Sequence, residues 1–150
     1  MSQKAARVFR KPDIKVFDRG NGVQTRLFCN QSRCGAEVTT GTTTLPAGAS
    51  VALHYHNCDE QIIILSGRAD VEYGGGRRPI GTMEVAYIPA GDVHCFHNTG
   101  DEPLVMLFVY DAGEVTRTFA ATGETVRHLA DGTWRSRNLS PNGSIERPTS

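Results

Sequence analysis

The feature that most constrains the fold is the spacing of turn-forming residues between positions 37 and 110. Short runs rich in valine, isoleucine, threonine and aromatic residues alternate there with glycine, proline, asparagine and aspartate. This is the pattern of β-strands separated by turns. No helical period as long as ten residues interrupts it. The predicted strands are 37–45, 50–56, 60–65, 69–73, 85–88, 94–97 and 104–109.

Short strands at this spacing predict an all-β fold, either an antiparallel sandwich or a closed barrel. These architectures bury many short amphipathic strands without leaving long exposed edges. The chain has 150 residues, of which 39% are hydrophobic, and this is enough for one core and one domain. We expect the barrel core at 35–112, an N-terminal arm with the first strands at 1–34, a flanking strand or turn packed on the barrel at 113–134, and a disordered tail at 135–150.

The charge balance argues against several classes of partner. Lysine plus arginine equals aspartate plus glutamate, at 16 each, so no net field attracts nucleic acid, an anionic membrane or an acidic polymer. We therefore expect a small-molecule substrate or ligand. No segment approaches the roughly 20 apolar residues that span a bilayer, and a cytoplasmic location is expected, where the four cysteines remain thiols.

The residues that carry chemistry lie at 48–67 and 87–98. Alternate residues of a strand share a face, so His54 and His56 project side by side. An extended chain would place Glu60 about 13 Å beyond His56, so residues 57–59 are expected to turn and return Glu60 beside the pair. His94 arrives from a different strand.

These four side chains offer three imidazole nitrogens and one carboxylate to a single divalent ion. Such a ligand set suits iron, zinc, manganese, nickel or cobalt. An octahedral ion would keep two neighbouring positions open for substrate, water or oxygen, which favours a working metal over a purely structural one.

Two spaced motifs give a family resemblance. The pattern G-x5-H-x-H-x3,4-E-x6-G is matched at every fixed position, by Gly48, His54, His56, Glu60 and Gly67. The pattern G-x5-P-x-G-x2-H-x3-N is matched by Pro89, Gly91, His94 and Asn98, with Met83 in place of its first glycine. In these motifs the sequence resembles the cupin superfamily. The Met83 departure affects a turn and no candidate ligand.

The resemblance implies a jelly-roll barrel, or double-stranded β-helix, with short irregular N- and C-terminal arms and one metal ion near its centre. It also implies a homodimer, which would cover exposed sheet edges. Cupins with similar motifs include dioxygenases, decarboxylases, sugar isomerases, lyases and polyketide cyclases, as well as binding and storage proteins without chemistry. The resemblance therefore indicates the fold and the ligands more narrowly than the reaction.

The expected cavity wall is apolar. It consists of residues on the same strand faces as the ligands or on the last predicted strand: Ile62, Ile64, Phe96, Met106 and Phe108. Without an evident inward lysine or arginine, this wall favours an aromatic, polyketide-like or weakly charged substrate over a phosphosugar. Three arginines outside the predicted strands could still turn inward: Arg26, Arg33 and Arg117.

We therefore expect a metal-dependent enzyme acting on a small oxygenated metabolite. Dioxygenation is favoured over Lewis-acid isomerisation, decarboxylation, lyase chemistry or cyclisation, and a non-catalytic binding cupin is the remaining alternative. No catalytic acid or base stands out. Strand alternation turns Cys95 and His97 away from the face of His94, and His128, on the polar flank, is expected at the surface.

Overall fold

The computed structural model describes residues 4–129, so the tail predicted at 135–150 lies outside the described residues. The strands, in chain order, are β1 (Lys15–Asp18), β2 (Gln24–Cys29), β3 (Thr39–Leu45), β4 (His54–His56), β5 (Glu60–Ser66), β6 (Arg68–Tyr73), β7 (Gly76–Gly81), β8 (Val85–Ile88), β9 (His94–Asn98), β10 (Leu104–Tyr110), β11 (Thr116–Phe119) and β12 (Thr125–Arg127). A 3₁₀ turn at Lys11–Asp13 precedes β1, and one short helix, α1 (Gln31–Cys34), follows β2.

The strands form two six-stranded antiparallel sheets. The first has the order β1-β2-β3-β10-β5-β8 and the second the order β12-β11-β4-β9-β6-β7. From β3 onward the chain passes repeatedly from one sheet to the other, so neighbours within a sheet are mostly distant in sequence. This is a jelly-roll arrangement, and it confirms the predicted all-β fold.

The first strands, expected within the N-terminal arm at 1–34, pair with each other at the edge of the first sheet. β1 lies antiparallel to β2, with Val16 opposite Arg26. The connection is a tight turn in which Asn21 and Gly22 both have positive φ, 55° and 78°, as the Asn-Gly pair of a short hairpin favours. The segment is therefore the edge of the first sheet, and it carries Arg19 into the interior.

Two strands differ from the sequence prediction. The segment predicted as 50–56 forms a regular strand only at His54–His56, because Ser50 makes a single isolated bridge to His97. The strand β7 was not predicted, since it is exposed at four of six positions and contains Pro79. An edge strand of this kind needs neither apolar alternation nor a complete hydrogen-bond ladder.

The flank at 113–134 supplies two further strands to the second sheet. β11 pairs with β4, so that Arg117 lies opposite His56 and Phe119 lies opposite His54. This places the flank directly beside the predicted metal ligands. No helix within residues 4–129 is long and apolar enough to span a bilayer.

The space between the sheets is filled by large side chains from alternating strand positions. Phe108, Phe119, Leu45, Ile64 and Leu104 are the largest fully buried apolar residues. Gly41 lies opposite Phe108 in the ladder between β3 and β10. A Cβ atom at Gly41 would lie 2.5 Å from Phe108 Cζ and would also collide with the Arg26 carbonyl, so this position has room only for glycine.

We expect Gly41→Ala to lower the free energy of unfolding by about 2 kcal/mol or more, because the added methyl group collides with backbone as well as with a ring. Urea denaturation followed by circular dichroism measures the change. Gly76→Ala is the matched control, since nothing lies within 4 Å of its Cβ position, and it should change stability by less than about 0.5 kcal/mol. Equal denaturation midpoints for the two variants would contradict this packing.

Candidate metal centre

The two sheets bring the four predicted ligands to one point in the barrel interior. His54 and His56 face inward from β4, and His54 lies directly opposite His94 on β9. Glu60 is the first residue of β5 in the other sheet. Each of these four residues is at most 4% exposed, so the site is almost completely removed from water.

Residues 57–59 form the turn that the sequence predicts, and this turn places Glu60 beside His54 and His56. Side-chain hydrogen bonds hold the turn on both sides. Asn57 Oδ1 accepts a hydrogen bond from the Thr116 backbone N–H at 2.8 Å. Asp59 accepts hydrogen bonds from the Ala90 backbone N–H at 2.9 Å and from the Tyr87 hydroxyl at 2.8 Å. The turn therefore fixes the start of β5 relative to β8 and β11.

The geometry of the cluster suits a shared ion. One ring nitrogen from each of His54, His56 and His94 lies within 4.8 Å of the others. The two Glu60 carboxylate oxygens lie 2.7 Å from His94 Nε2 and 3.6 Å from His56 Nε2. The structure thus brings all four predicted side chains together.

Backbone carbonyls hold the far nitrogen of each imidazole. Nδ1 of His54 donates to the Ala52 carbonyl at 2.6 Å, that of His56 to the Thr116 carbonyl at 3.0 Å, and that of His94 to the Asp92 carbonyl at 2.9 Å. A carbonyl oxygen can only accept, so each Nδ1 carries the proton and each Nε2 presents a lone pair to the centre. This is how metal-binding histidines are usually oriented.

The centre also contains buried polar atoms that a cation would satisfy. Glu60 Oε1 and His94 Nε2 have no hydrogen-bond partner within residues 4–129, although they lie 2.7 Å apart. Two facing lone pairs at this distance repel unless a cation is shared between them. The donor set and these two atoms therefore fit a divalent metal ion.

The protonation states are those that metal binding requires. Burial would raise the pKa of Glu60, but the neighbouring His56, His94 and Tyr110 outweigh it and lower this pKa to about 2. Burial lowers the pKa of His56 to about 4, although Glu60 opposes that shift. Burial, and then Arg117, hold the pKa of His54 well below its usual value. Near neutral pH Glu60 is therefore a carboxylate, and the His54 and His56 imidazoles are unprotonated.

Tyr110 is a polar neighbour of the site that the sequence did not single out. It lies opposite Glu60 in the ladder between β10 and β5, and its hydroxyl lies 3.4 Å from His56 Nε2. Burial, and then the Glu60 charge, raise the pKa of Tyr110 well above 10. The phenol therefore keeps its proton beside the carboxylate and the His56 ring.

His128 was expected at the surface, and this expectation is wrong. Its ring lies 5.2 Å from the His56 ring, and its Nε2 lies 3.3 Å from the Tyr110 hydroxyl. The cause is a backbone hydrogen bond from His128 N–H to the Val115 carbonyl at 2.7 Å, which draws the end of the flank over the cavity. A contact between positions so far apart in sequence leaves no local pattern.

The cavity wall contains arginine, contrary to the expectation of a wholly apolar wall. Arg19 and Arg117 line the cavity and are 6% and 2% exposed. Of the three arginines considered from the sequence, Arg117 is thus the one that turns inward. Arg33 instead stacks on Phe9, 4.2 Å from the ring centre, and Arg26 lines a separate surface groove.

Four of the five residues predicted to form the wall line this cavity: Ile62, Phe96, Met106 and Phe108. The fifth, Ile64, is fully buried but is not among the described residues that line it. Ile64 lies four residues after Glu60 on β5, about 13 Å along an extended strand, and it packs deeper in the core. The cavity volume is about 30 Å³.

Comparison with known proteins identifies the family. A family model of the cupin domain matches residues 41–110. The chain is also 30% identical over 70 residues to an uncharacterized protein of Streptomyces coelicolor, a match that covers 47% of this chain and 67% of that protein. The chain belongs to the cupin superfamily.

This cupin is similar to part of much longer enzymes. It is 36% identical over 62 residues to the mannose-1-phosphate guanylyltransferase of Escherichia coli (strain K12), covering 41% of this chain and only 13% of that one. Its fold is similar to that of a Bacillus subtilis oxalate decarboxylase variant, with a TM-score of 0.63, 23% identity, and coverage of 71% of this chain and 30% of that chain. The chain therefore spans less than a third of either enzyme.

A second structure of the same decarboxylase concerns its Mn(II) centres. The similarity has a TM-score of 0.60 and 24% identity, and it covers 67% of this chain and 29% of that chain. In this cupin all four candidate ligands lie inside the family match at 41–110, whereas Arg19, Arg117 and His128 lie outside it. The groups that distinguish its cavity therefore come from the flanks.

We expect the parent protein to bind about one Mn²⁺ per chain, because imidazole and carboxylate suit this ion. Glu60→Gln removes the only charge among the four candidate ligands and should weaken binding by at least about 100-fold. Electron paramagnetic resonance titration of free Mn²⁺ measures the affinity. The exposed Glu102→Gln is the matched control, and equal affinities for the two variants would exclude this ligand set.

Tyr110→Phe keeps the ring and removes the hydroxyl that interacts with Glu60 and lies 3.4 Å from His56 Nε2. Loss of such a supporting contact should weaken Mn²⁺ binding by about 10- to 100-fold, while the fold is retained. The same titration reports the change. Tyr55→Phe, on the opposite face of β4, should bind like the parent, and a Tyr110→Phe affinity equal to both would show that the hydroxyl does not support the site.

Proposed function

We propose that this cupin is a metal-dependent enzyme that acts on a small oxygenated carboxylate. The observation that carries the proposal is the presence of two buried arginines, Arg19 and Arg117, in the wall of the cavity that the candidate ligands His54 and Glu60 also line. A guanidinium group presents paired N–H donors that match a carboxylate. An apolar wall alone would have favoured a different class of substrate.

The size of the cavity supports a small substrate. A volume of about 30 Å³ is far below the roughly 300–1,000 Å³ of pockets that enclose drug-sized ligands. An aromatic or polyketide-like substrate, favoured by the sequence, would need the cavity to open considerably. A carboxylate of a few heavy atoms needs much less rearrangement.

Different residues of the site would hold the metal ion, bind the carboxylate and exclude water. His54, His56, Glu60 and His94 would hold the metal ion, which when bound supplies a Lewis acid or, as iron or manganese, a redox centre beside its open positions. Arg117 lies close to this cluster, with Nη2 3.5 Å from His54 Nδ1. From there Arg117 and Arg19 can bind and orient the carboxylate, while Phe96, Met106 and Phe108 exclude water.

Tyr110 is the candidate hydrogen-bond donor of the wall. Its hydroxyl lies 3.4 Å from His56 Nε2 and 3.3 Å from His128 Nε2, and its raised pKa keeps the proton on the oxygen. A hydroxyl held there can donate a hydrogen bond to an oxygen of a substrate bound against the cluster. Its contact with Glu60 makes it a supporting group for the ligands as well.

The reaction class has two branches. Dioxygenation, favoured from the sequence, would consume oxygen, whereas non-redox decarboxylation would release carbon dioxide without it. The fold similarity to an oxalate decarboxylase offers a precedent for a small dicarboxylate in such a barrel. Oxygen uptake and carbon dioxide release, measured together on protein loaded with Mn²⁺ or Fe²⁺, distinguish the two branches.

We expect turnover with a panel of small mono- and dicarboxylates that includes oxalate. Arg117→Gln should raise KM by about 10- to 100-fold, because a charged hydrogen bond contributes about 1.5–3 kcal/mol. Arg117→Lys keeps the positive charge and should raise KM by a smaller factor. Metal content should stay at the parent level in both. Arg26→Gln, outside the cavity, is the control.

Two results would contradict this function. Unchanged KM in Arg117→Gln, with turnover intact, would show that the arginine does not bind the substrate. If the metal-loaded protein binds a carboxylate tightly but forms no product, either with oxygen or without it, the protein is a non-catalytic binding cupin.

A further inference from the structure

A second cluster of metal-binding side chains lies on the other face of the strand that carries His94. Cys95 and His97 project from β9 to the outer face of the second sheet, as strand alternation predicted. Glu72 lies directly opposite Cys95 in the ladder between β6 and β9. These three residues thus form a compact group, separated from the first site by the sheet itself.

The three ligand atoms form a small triangle. Glu72 Oε1 lies 2.8 Å from His97 Nε2, Cys95 Sγ lies 3.2 Å from the same nitrogen, and Cys95 Sγ lies 3.5 Å from Glu72 Oε1. Around tetrahedral zinc, typical bond lengths place sulfur, nitrogen and oxygen ligands about 3.4–3.6 Å apart. An ion at the centre would therefore leave the Cys95–Glu72 distance almost unchanged and lengthen the Glu72–His97 distance by about 0.6 Å.

A hydrogen bond to the far ring nitrogen fixes the orientation of His97. Its Nδ1 hydrogen-bonds Ser50 Oγ at 2.6 Å, where the hydroxyl oxygen can accept the Nδ1 proton. This leaves Nε2 directed at Glu72 and Cys95, in the manner of a zinc-binding histidine whose other nitrogen is held by a polar group. The His97 and Glu72 side chains are 20% and 31% exposed, so ions and water can reach the group.

We propose that Glu72, Cys95 and His97 form a second metal site, for a thiolate-preferring divalent ion such as Zn²⁺, with water as its fourth ligand. A thiolate together with imidazole and carboxylate selects zinc over manganese. The first cluster contains no sulfur, so the thiolate distinguishes the second site chemically from the first. The proposal is independent of the reaction at the first site.

One nearby cation opposes metal binding at this group. Arg77 on β7 lies opposite Glu72 and interacts electrostatically with it, while its guanidinium Nε lies 3.6 Å from Asp70 Oδ2. Removing this positive charge should strengthen binding of a cation. Arg78, on the same strand, stacks on Tyr73 instead and serves as a matched control.

Titration of the full chain with Co²⁺ tests the site, because a cobalt–thiolate bond gives a charge-transfer absorption band that histidine and carboxylate ligands do not. We expect the band in the parent and in Cys58→Ser, and its loss in Cys95→Ser. Glu72→Gln keeps the thiol and should raise the Co²⁺ concentration at the titration midpoint by at least about tenfold. The test therefore does not depend on one buried substitution. Circular dichroism confirms that each variant is folded.

Competition with Zn²⁺ should displace the band, and Arg77→Gln should tighten Co²⁺ binding severalfold whereas Arg78→Gln should not. Absence of the band in the folded parent would overturn the proposal, as would its persistence in Cys95→Ser. An unchanged midpoint in Glu72→Gln would also overturn it, because the carboxylate would then not be a ligand.

Discussion

The site depends on the hydrogen bonds that fix the far nitrogen of each imidazole. Main-chain carbonyls at Ala52, Asp92 and Thr116 accept these three protons, and without them the rings could turn or take the other tautomer. The carbonyls belong to the approach to β4, the turn before β9 and the strand β11. The three imidazoles are therefore positioned by β4, β9 and β11 of the second sheet, and correct strand register is a condition for three Nε2 lone pairs to converge beside Glu60 of the first sheet.

The same burial that shapes the cluster sets its charge. A carboxylate removed from water is costly unless positive or polar groups compensate, and at Glu60 the histidines and Tyr110 provide that compensation. The arginines are also buried, and Arg117 interacts favourably with the Glu60 charge. The interior of this barrel thus contains several ionisable groups where most proteins have apolar side chains. Such a set of groups suits the proposed role of binding an anion beside a metal ion.

Local rules were sufficient for much of the fold and for the candidate ligands. Strand alternation placed His54 beside His56 and directed Cys95 away from His94, and the distance to Glu60 required a turn. Arg19 and His128 were missed, and Arg117 was only one of three arginines that could turn inward, because the burial of these residues follows from pairings between strands far apart in sequence, such as Arg117 opposite His56. Local reasoning assigns an isolated arginine to the surface. The Asn21-Gly22 pair is a local signal for the first hairpin, but the predicted strands began only at 37.

The division between the family match at 41–110 and its flanks has an evolutionary consequence. The flanks support the cluster chiefly through the Thr116 carbonyl, a backbone atom that any residue at this position would provide. The flanking side chains that enter the cavity can therefore be exchanged without altering how the three imidazoles are oriented. In a barrel of this type, new residues at the two ends can change what the cavity recognises while the four candidate ligands stay in place.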